Sequence, residues 1–161
     1  MSNDNFYTPD WLIDELLEFY AGGLDLDPSA DINKRIPAAN HYTIKEDGLR
    51  MHWNTGTIFC NPPYSRSKST SLDMWIDKAL QSHEQFNTEI LLLLPANTDT
   101  KWCQTLLSSD VLCLFFKSRI KFLDENYEPT KGTGKFASML AYLGDWNQSF
   151  ITQFGKHGVI K

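Results

Sequence analysis

The sequence has few of the features that mark a disulfide-bonded or metal-binding protein. Its cysteines are odd in number and none belongs to a C-x-x-C pair, which argues against a disulfide framework and against a zinc site. The histidines show no metal-ligand spacing either. We therefore expect no bound metal. We also expect three reduced cysteines that pack as small apolar side chains, namely Cys60, Cys103 and Cys113.

Long apolar segments are also missing. The longest apolar run covers residues 90–95, far short of a membrane span, and the first residues lack the basic and then apolar regions of a signal peptide. We expect a cytoplasmic protein with no membrane partner. The chain has 161 residues, of which 42% are hydrophobic and 22% charged, so it predicts one folded domain over residues 1–161 without a separate recognition domain.

A strongly basic composition, which would favour nucleic acid as a partner, is absent as well, because the net charge is −5. The charges are unevenly placed, however. Residues 1–100 hold 7 Lys and Arg against 15 Asp and Glu, whereas residues 101–161 hold 8 against 5. In this basic part Lys117, Arg119 and Lys121 alternate, which on a strand puts all three on one side. The pattern favours phosphate contact or, equally, a solvated edge strand protected by its charge.

What the sequence does contain is an alternation of strands and helices. Apolar runs predict strands over residues 24–27, 57–60, 89–94, 111–116 and 136–143. Helical spacing predicts helices that begin at Thr8-Pro9, with Thr8 as the N-cap, at Leu72 and at Thr98. This alternation is typical of a mostly parallel, three-layer α/β sheet. Residues 28–56 are too few for two further strand–helix units, so the first half of the sheet should be abbreviated.

The segment Asn61-Pro62-Pro63-Tyr64 carries the clearest chemistry, because it follows an apolar strand at the edge where α/β sheets bind ligands. The amine of a nucleobase attacks an electrophile only when acceptors draw its nitrogen towards tetrahedral geometry. The Asn61 side-chain oxygen and the Pro62 carbonyl supply two acceptors, and Tyr64 supplies a face for stacking. A base paired in a duplex must flip out to reach them. The alternative is a proline-stiffened turn with a tyrosine over the sheet edge.

An ordered set of segments then resembles one family over roughly residues 6–143. The segments are Tyr7-Thr8-Pro9, Leu24-Asp25-Leu26-Asp27-Pro28-Ser29-Ala30, Glu46-Asp47-Gly48-Leu49, Trp53, Asn61-Pro62-Pro63-Tyr64-Ser65, residues 94–102, residues 119–122 and residues 136–140. Together they resemble the compact, phage-type DNA N6-adenine methyltransferases. The resemblance implies a Rossmann-like methyltransferase fold, with seven strands of which one is reversed, and abbreviated in its first half. It also implies S-adenosylmethionine as cofactor and DNA modification of the phage or restriction–modification kind.

The resemblance also implies roles for individual residues. The catalytic residues would be Asn61, Pro62, Pro63 and Tyr64. The cofactor would be held by Tyr7, Thr8, Pro9, Asp27, Pro28, Ser29, Asp47 and Asn61. Within that set, Thr8 and the adjoining backbone would meet the methionine carboxylate, Asp27 the methionine amine and Asp47 the adenine amine. Thr8 as a helix cap, and Asp27-Pro28 and Asp47 as turn residues, stay open as alternatives.

Two departures from the wider methyltransferase pattern limit this assignment. No glycine follows the first strand, where a glycine-rich turn is usual, and no acidic residue can be assigned to the cofactor ribose. A catalytically silent DNA-binding module therefore stays open as a rival. Another planar amine as the acceptor, namely cytosine N4, RNA adenine or a protein glutamine, is a second rival.

Double-stranded DNA is the partner that the resemblance implies. The chain would be a monomer or a weak dimer, in bacterial or phage-infected cytoplasm. Target choice would fall to loops at residues 65–71 and 123–135, so the recognised site should be short or relaxed. The residues expected to contact DNA are Arg66, Lys68, Lys101, Lys117, Arg119, Lys121, Lys131 and Lys135.

Overall fold

The computed structural model describes residues 6–65 and 70–161, and Arg66 and Lys68 lie outside these ranges. Seven strands and four α-helices alternate along the chain. In chain order they are α1 (Asp10–Phe19), β1 (Leu24–Asp27), β2 (Ala38–His41), β3 (Thr57–Cys60), α2 (Leu72–Phe86), β4 (Glu89–Pro95), α3 (Lys101–Leu107), β5 (Leu112–Phe116), β6 (Ser138–Leu143), α4 (Asn147–Phe154) and β7 (Gly158–Ile160).

The seven strands form one mixed sheet in the order β2-β1-β3-β4-β6-β5-β7. Strands β1 to β4 run parallel to one another, while β6 is antiparallel to β4 and β5, and β7 is antiparallel to β5. Seven strands are therefore confirmed, but the expectation of a single reversed strand is wrong, since two are reversed. No helix lies between β5 and β6. Parallel neighbours need a crossover, usually a helix, so a returning strand pairs antiparallel instead.

Helices cover both faces of the sheet, which confirms the three-layer arrangement. Along β4 every residue is buried, and alternate side chains serve opposite faces. Leu91 and Leu93 pack in the cluster that contains α1 and α4, whereas Ile90, Leu92 and Leu94 pack in the cluster of α2 and α3. A strand buried on both faces is a continuous apolar run in sequence, which is why residues 89–94 could be recognised.

The first half of the sheet is reduced, as expected. Between β1 and β3 the chain contributes one four-residue strand, β2, and no helix. β2 lies at the sheet edge and its residues are exposed or half-buried. β3 lies inside the sheet, between β1 and β4, so its carboxyl end opens towards the carboxyl ends of both neighbours.

Two local expectations are wrong. α1 begins at Asp10 with Pro9, not Thr8, in the cap position, and no side chain caps this helix. The second concerns Lys117, Arg119 and Lys121, which do not lie on a strand, because β5 ends at Phe116 and the chain bends there. Only the burial of the side chains alternates here. Arg119 and Lys121 are exposed, whereas Ile120 between them is only 3% exposed.

The three cysteines are free and buried, as expected. Within the described ranges, no helix is long and apolar enough to cross a membrane.

Candidate active site

A cavity of about 610 Å³ opens where β1 and β3 end. Its size is ordinary for a small-molecule site. The cavity collects residues that lie far apart in sequence, from the segment before α1, from the turns after β1, β2 and β3, and from α2. Of the predicted site residues, those that line it are Tyr7, Thr8, Asp27, Pro28, Ser29, Asp47, Asn61, Pro62 and Pro63.

Asn61 is fixed by the segment that precedes α1. Its Nδ2 donates to the Phe6 carbonyl oxygen at 2.7 Å and to Thr8 Oγ1 at 3.2 Å. A carbonyl oxygen only accepts, so the amide nitrogen must face Phe6 and the Asn61 Oδ1 atom must face the other way. The Asn61 backbone carbonyl also accepts from Ser29 Oγ at 3.0 Å, which ties the end of β3 to the turn after β1. The side-chain orientation of Asn61 is therefore set before any ligand arrives.

Two hydrogen-bond acceptors are left free beside each other in the chain. No donor among residues 6–65 and 70–161 reaches Asn61 Oδ1 or the Pro62 carbonyl oxygen. Prolines at 62 and 63 remove two backbone N–H groups that would compete for them. Both Asn61 and Pro62 line the cavity. Both acceptors are therefore available to a ligand.

Tyr64 is placed differently from the expectation that its ring lies open for stacking. The ring is absent from the described cavity wall and instead packs on Phe6, at 5.8 Å between centroids and 26° between planes. Phe122 and Phe136 meet it edge-on at 6.4 and 5.6 Å. Its hydroxyl donates to the Leu93 carbonyl at 3.0 Å, and burial raises the Tyr64 pKa well above its ordinary value. Tyr64 is thus a neutral anchor whose stacking face Phe6 covers here.

Asp27 ends β1 and is only 3% exposed. Burial raises its pKa to about 7, against the lowering effect of hydrogen bonds from Ser29. The Ser29 N–H donates to Asp27 Oδ1 at 3.1 Å, while no donor in the described ranges reaches Oδ2. A buried carboxyl group that is short of donors suits a cationic ligand group, which would favour its ionised form.

Asp47 and Gly48, from the segment that follows β2, line the cavity. Asp47 adopts φ of 58°, and its Oδ1 accepts from the Leu49 N–H at 3.2 Å, so the interpretation of Asp47 as a turn residue is correct in geometry. Asp47 also lines the cavity, so turn and ligand contact are compatible. Glycine at position 48 lets the backbone pass close to Pro28, because a Cβ there would overlap the Pro28 carbonyl oxygen.

Comparison with protein families gives one match, to the family model described as DNA N-6-adenine-methyltransferase (Dam), over residues 1–158. The chain belongs to the Dam family. A search of curated proteins found no match. Membership in this family implies a methyl donor of the S-adenosylmethionine type and DNA as substrate.

The cavity of this Dam family chain fits such a donor in three respects. Its volume suits a nucleoside-sized ligand. The buried Asp27 carboxyl provides a partner for an α-amino group. The indole of Trp75 and the ring of Tyr42, both in the wall, provide apolar surface for an adenosine.

No group of three or more His, Cys, Asp or Glu that could hold a metal occurs in the described part of the chain.

Those of the expected DNA-contacting residues that the structure describes lie beyond the same edge of the sheet as the cavity. Lys101 begins α3, just beyond the carboxyl end of β4, and Lys131 and Lys135 are exposed in the loop before β6. The Lys135 ammonium lies 5.6 Å from the centre of the Phe6 ring. A second groove, of about 620 Å³, is lined by Lys117, Arg119 and Lys121. Pro9 lies in this groove and not in the cavity wall.

Sequence reasoning missed three residues that shape the site. Phe6 touches both Tyr64, through its ring, and Asn61, through its carbonyl. Arg35 lines the cavity, and Tyr127 reaches over from the loop before β6 to donate to Asp31 Oδ2 at 2.6 Å. Phe6 directly precedes the Tyr7-Thr8-Pro9 motif, which was a usable signal. Arg35 and Tyr127 lie in irregular segments that no periodicity marks.

Proposed function

We propose that this chain is a site-specific DNA methyltransferase that transfers a methyl group from S-adenosylmethionine to N6 of a flipped-out adenine. The observation that carries the proposal is the pair of free acceptors, Asn61 Oδ1 and the Pro62 carbonyl, in one cavity with the buried Asp27. Membership in the Dam family supports adenine N6 as the methyl acceptor.

Asn61 and Pro62 would orient and polarise the amine of the target base. Each accepts one of the two N–H bonds, which directs the nitrogen lone pair out of the ring plane and towards the electrophile. Because Asn61 is already held by Phe6 and Thr8, little reorganisation is needed when the base arrives. When bound, S-adenosylmethionine would supply a methyl group on a cationic sulfonium, so transfer to the amine nitrogen would break the S–CH3 bond, leave S-adenosylhomocysteine and release one amine proton to solvent.

The turns after β1 and β2 would hold the cofactor. Asp27 would pair with its α-amino group, with Pro28 and Ser29 as the adjoining wall, and Asp47 would accept from its adenine amine. Tyr7 and Thr8 would border its methionine end, with Pro9 as the N-cap of the helix that follows. Pro63 would keep Pro62 in position.

Tyr64 would stack on the flipped base. Phe6 already lies nearly parallel to Tyr64, so this face of Tyr64 can receive an aromatic ring. We expect the Phe6 ring to turn aside when a base binds. Its backbone carbonyl can stay on Asn61 Nδ2, because rotation about the side-chain torsion leaves the main chain in place.

The proposed activity is tested by incubating the protein with labelled S-adenosylmethionine and double-stranded DNA, followed by mass spectrometry of the nucleosides. N6-methyladenine is the expected product. N4-methylcytosine, methylated RNA adenine or labelled protein would each identify a different acceptor and refute adenine in DNA. Absence of S-adenosylmethionine binding in a calorimetric titration, with no label transfer to any of these, would identify the silent module.

The second groove, lined by Lys117, Arg119 and Lys121, gives a separate prediction about DNA affinity. Replacing both Arg119 and Lys121 by Ala should weaken binding to all DNA sequences alike, since we expect these two exposed cations to contact phosphates, which carry no sequence information. If three or four cations contact phosphates, log affinity should fall against log salt with a slope of roughly −3 to −4. The double variant should flatten that slope by up to about two.

Filter binding over a range of salt concentrations measures this slope. Lys45 and Arg50 provide a matched control, because both are exposed and neither lines the cavity or the groove. Their double replacement by Ala should leave the slope unchanged. An equal slope for the wild type and the Arg119 and Lys121 variant would place the DNA elsewhere.

A further inference from the structure

The ionisable residues of the cavity wall include three aspartates and one arginine. Among the described residues of the wall, Asp27, Asp31 and Asp47 are acidic and Arg35 is the one Lys or Arg. The methionine part of S-adenosylmethionine carries an ammonium and a carboxylate on the same carbon, so its site needs partners of both signs. We propose that Arg35 binds the carboxylate of the cofactor, an inference that rests on the proposed methyltransferase function.

Arg35 is held firmly and keeps donors to spare. Its side chain is 17% exposed, with Nη2 paired to Asp10 Oδ1 and Nη1 donating to the Thr8 carbonyl oxygen. The Tyr127 ring lies 5.6 Å from the Arg35 Cζ atom. A guanidinium has five N–H donors, so these two bonds leave three for a ligand. The anchors fix the plane of the group, which is the condition for bidentate carboxylate binding.

The ion-pair partner of Arg35, Asp10, lies away from the cavity, whereas Thr8 lines it. Asp10 is 86% exposed and lines the second groove, whereas Arg35 lines the cavity. The ion pair therefore takes up one edge of the guanidinium and does not place a competing carboxylate in the cavity wall.

A chain of short contacts connects Arg35 to the expected amine partner, Asp27. Arg35 bonds the Thr8 carbonyl, and the Thr8 hydroxyl accepts from Asn61 Nδ2 at 3.2 Å. The Asn61 carbonyl accepts from Ser29 Oγ at 3.0 Å, and the Ser29 N–H donates to Asp27 Oδ1 at 3.1 Å. Arg35 and Asp27 thus line one cavity and are linked through Thr8, Asn61 and Ser29. A zwitterionic amino-acid group matches this arrangement.

The test compares two ligands that differ only in the carboxylate, S-adenosylmethionine and its decarboxylated analogue, by calorimetric titration. Wild-type protein should bind S-adenosylmethionine at least about tenfold more tightly, the scale of a hydrogen bond to a charged group. Arg35→Gln should lose that preference and leave the affinity for the decarboxylated analogue within about twofold of the wild-type value, since the ligand then lacks the group that Arg35 binds. Arg50→Gln, an exposed matched control, should keep the preference.

Several results would overturn the assignment. Equal weakening of both ligands in Arg35→Gln would show that Arg35 only supports the segment before α1. An unchanged preference in this variant would place the carboxylate elsewhere. Equal affinities of the wild type for the two ligands would also refute the assignment. Asp10→Asn, which removes only the outer partner, should retain the preference if Arg35→Gln does not fold. A wild type that binds neither ligand would instead refute the proposed function.

Discussion

Replacing Asn61 by Ala should lower the single-turnover rate of adenine methylation at least about a hundredfold, the scale of losing one transition-state hydrogen bond. The reason is geometric. Asn61 Oδ1 is free to accept from the substrate only because Nδ2 is engaged by the Phe6 carbonyl at 2.7 Å and by Thr8 Oγ1 at 3.2 Å. Alanine removes both the acceptor and this anchor. The rate is measured with cofactor and DNA above saturation, so that weaker binding does not contribute.

Asn61→Asp is the matched control for this experiment. It preserves the shape and an acceptor oxygen but places a carboxylate oxygen against the Phe6 carbonyl, with the Thr8 hydroxyl as the neighbouring donor. We expect a smaller loss of rate than in Asn61→Ala, with a lower melting temperature because two acceptors face each other. Wild-type turnover by a folded Asn61→Ala variant would contradict the mechanism.

The parts of the fold that the sequence predicts are those in which one physical requirement dominates. β4 is a continuous apolar run because its residues are buried on both faces. α2 places Trp75, Ile76 and Ala79 at helical spacing because that face packs on the sheet. The position of residues 61–64 at the end of an apolar strand likewise predicts where the cavity opens.

The parts that could not be predicted depend on contacts between distant segments. Nothing near Arg35 shows that it will meet Thr8, and nothing near Tyr127 shows that its hydroxyl will reach Asp31, 96 positions away in the chain. The alternation of Lys117, Arg119 and Lys121 predicts a strand, but here the alternation comes from tertiary packing. Ile120 and Phe122 are buried in the core by an irregular segment, which gives period-two burial without sheet pairing.

The second large effect concerns Asp27 and the pH dependence of cofactor binding. Its pKa is about 7 in the free protein because the carboxyl is buried, whereas an ammonium beside it would favour the ionised form. Affinity for S-adenosylmethionine should therefore fall as pH drops below about 7, by up to tenfold per pH unit, with uptake of the ligand releasing a proton. Titration calorimetry in buffers of different ionisation enthalpy measures both quantities.

Asp27→Asn is the variant that isolates this carboxyl. It should weaken S-adenosylmethionine about a hundredfold or more at pH 8, since one partner of a buried ion pair is lost. It should also remove the loss of affinity below about pH 7. A variant that binds as tightly as the wild type would show that Asp27 is only a turn residue.

The same substitution should stabilise the cofactor-free protein, in the opposite direction to its effect on binding. The folded-state pKa of Asp27 lies above its unfolded value of 3.8, so the folded chain holds the proton more tightly. The contribution of Asp27 to the wild-type unfolding free energy should therefore decrease as pH rises from about 4 to about 7, by roughly 4 kcal/mol for a pKa raised from 3.8 to about 7. The amide that Asp27→Asn introduces does not titrate, and its oxygen can still accept from the Ser29 N–H. Denaturant unfolding at about pH 4.5 and about pH 8 should show a stability advantage of Asp27→Asn over the wild type that grows with pH. An advantage independent of pH would mean that the carboxyl is hydrated in solution.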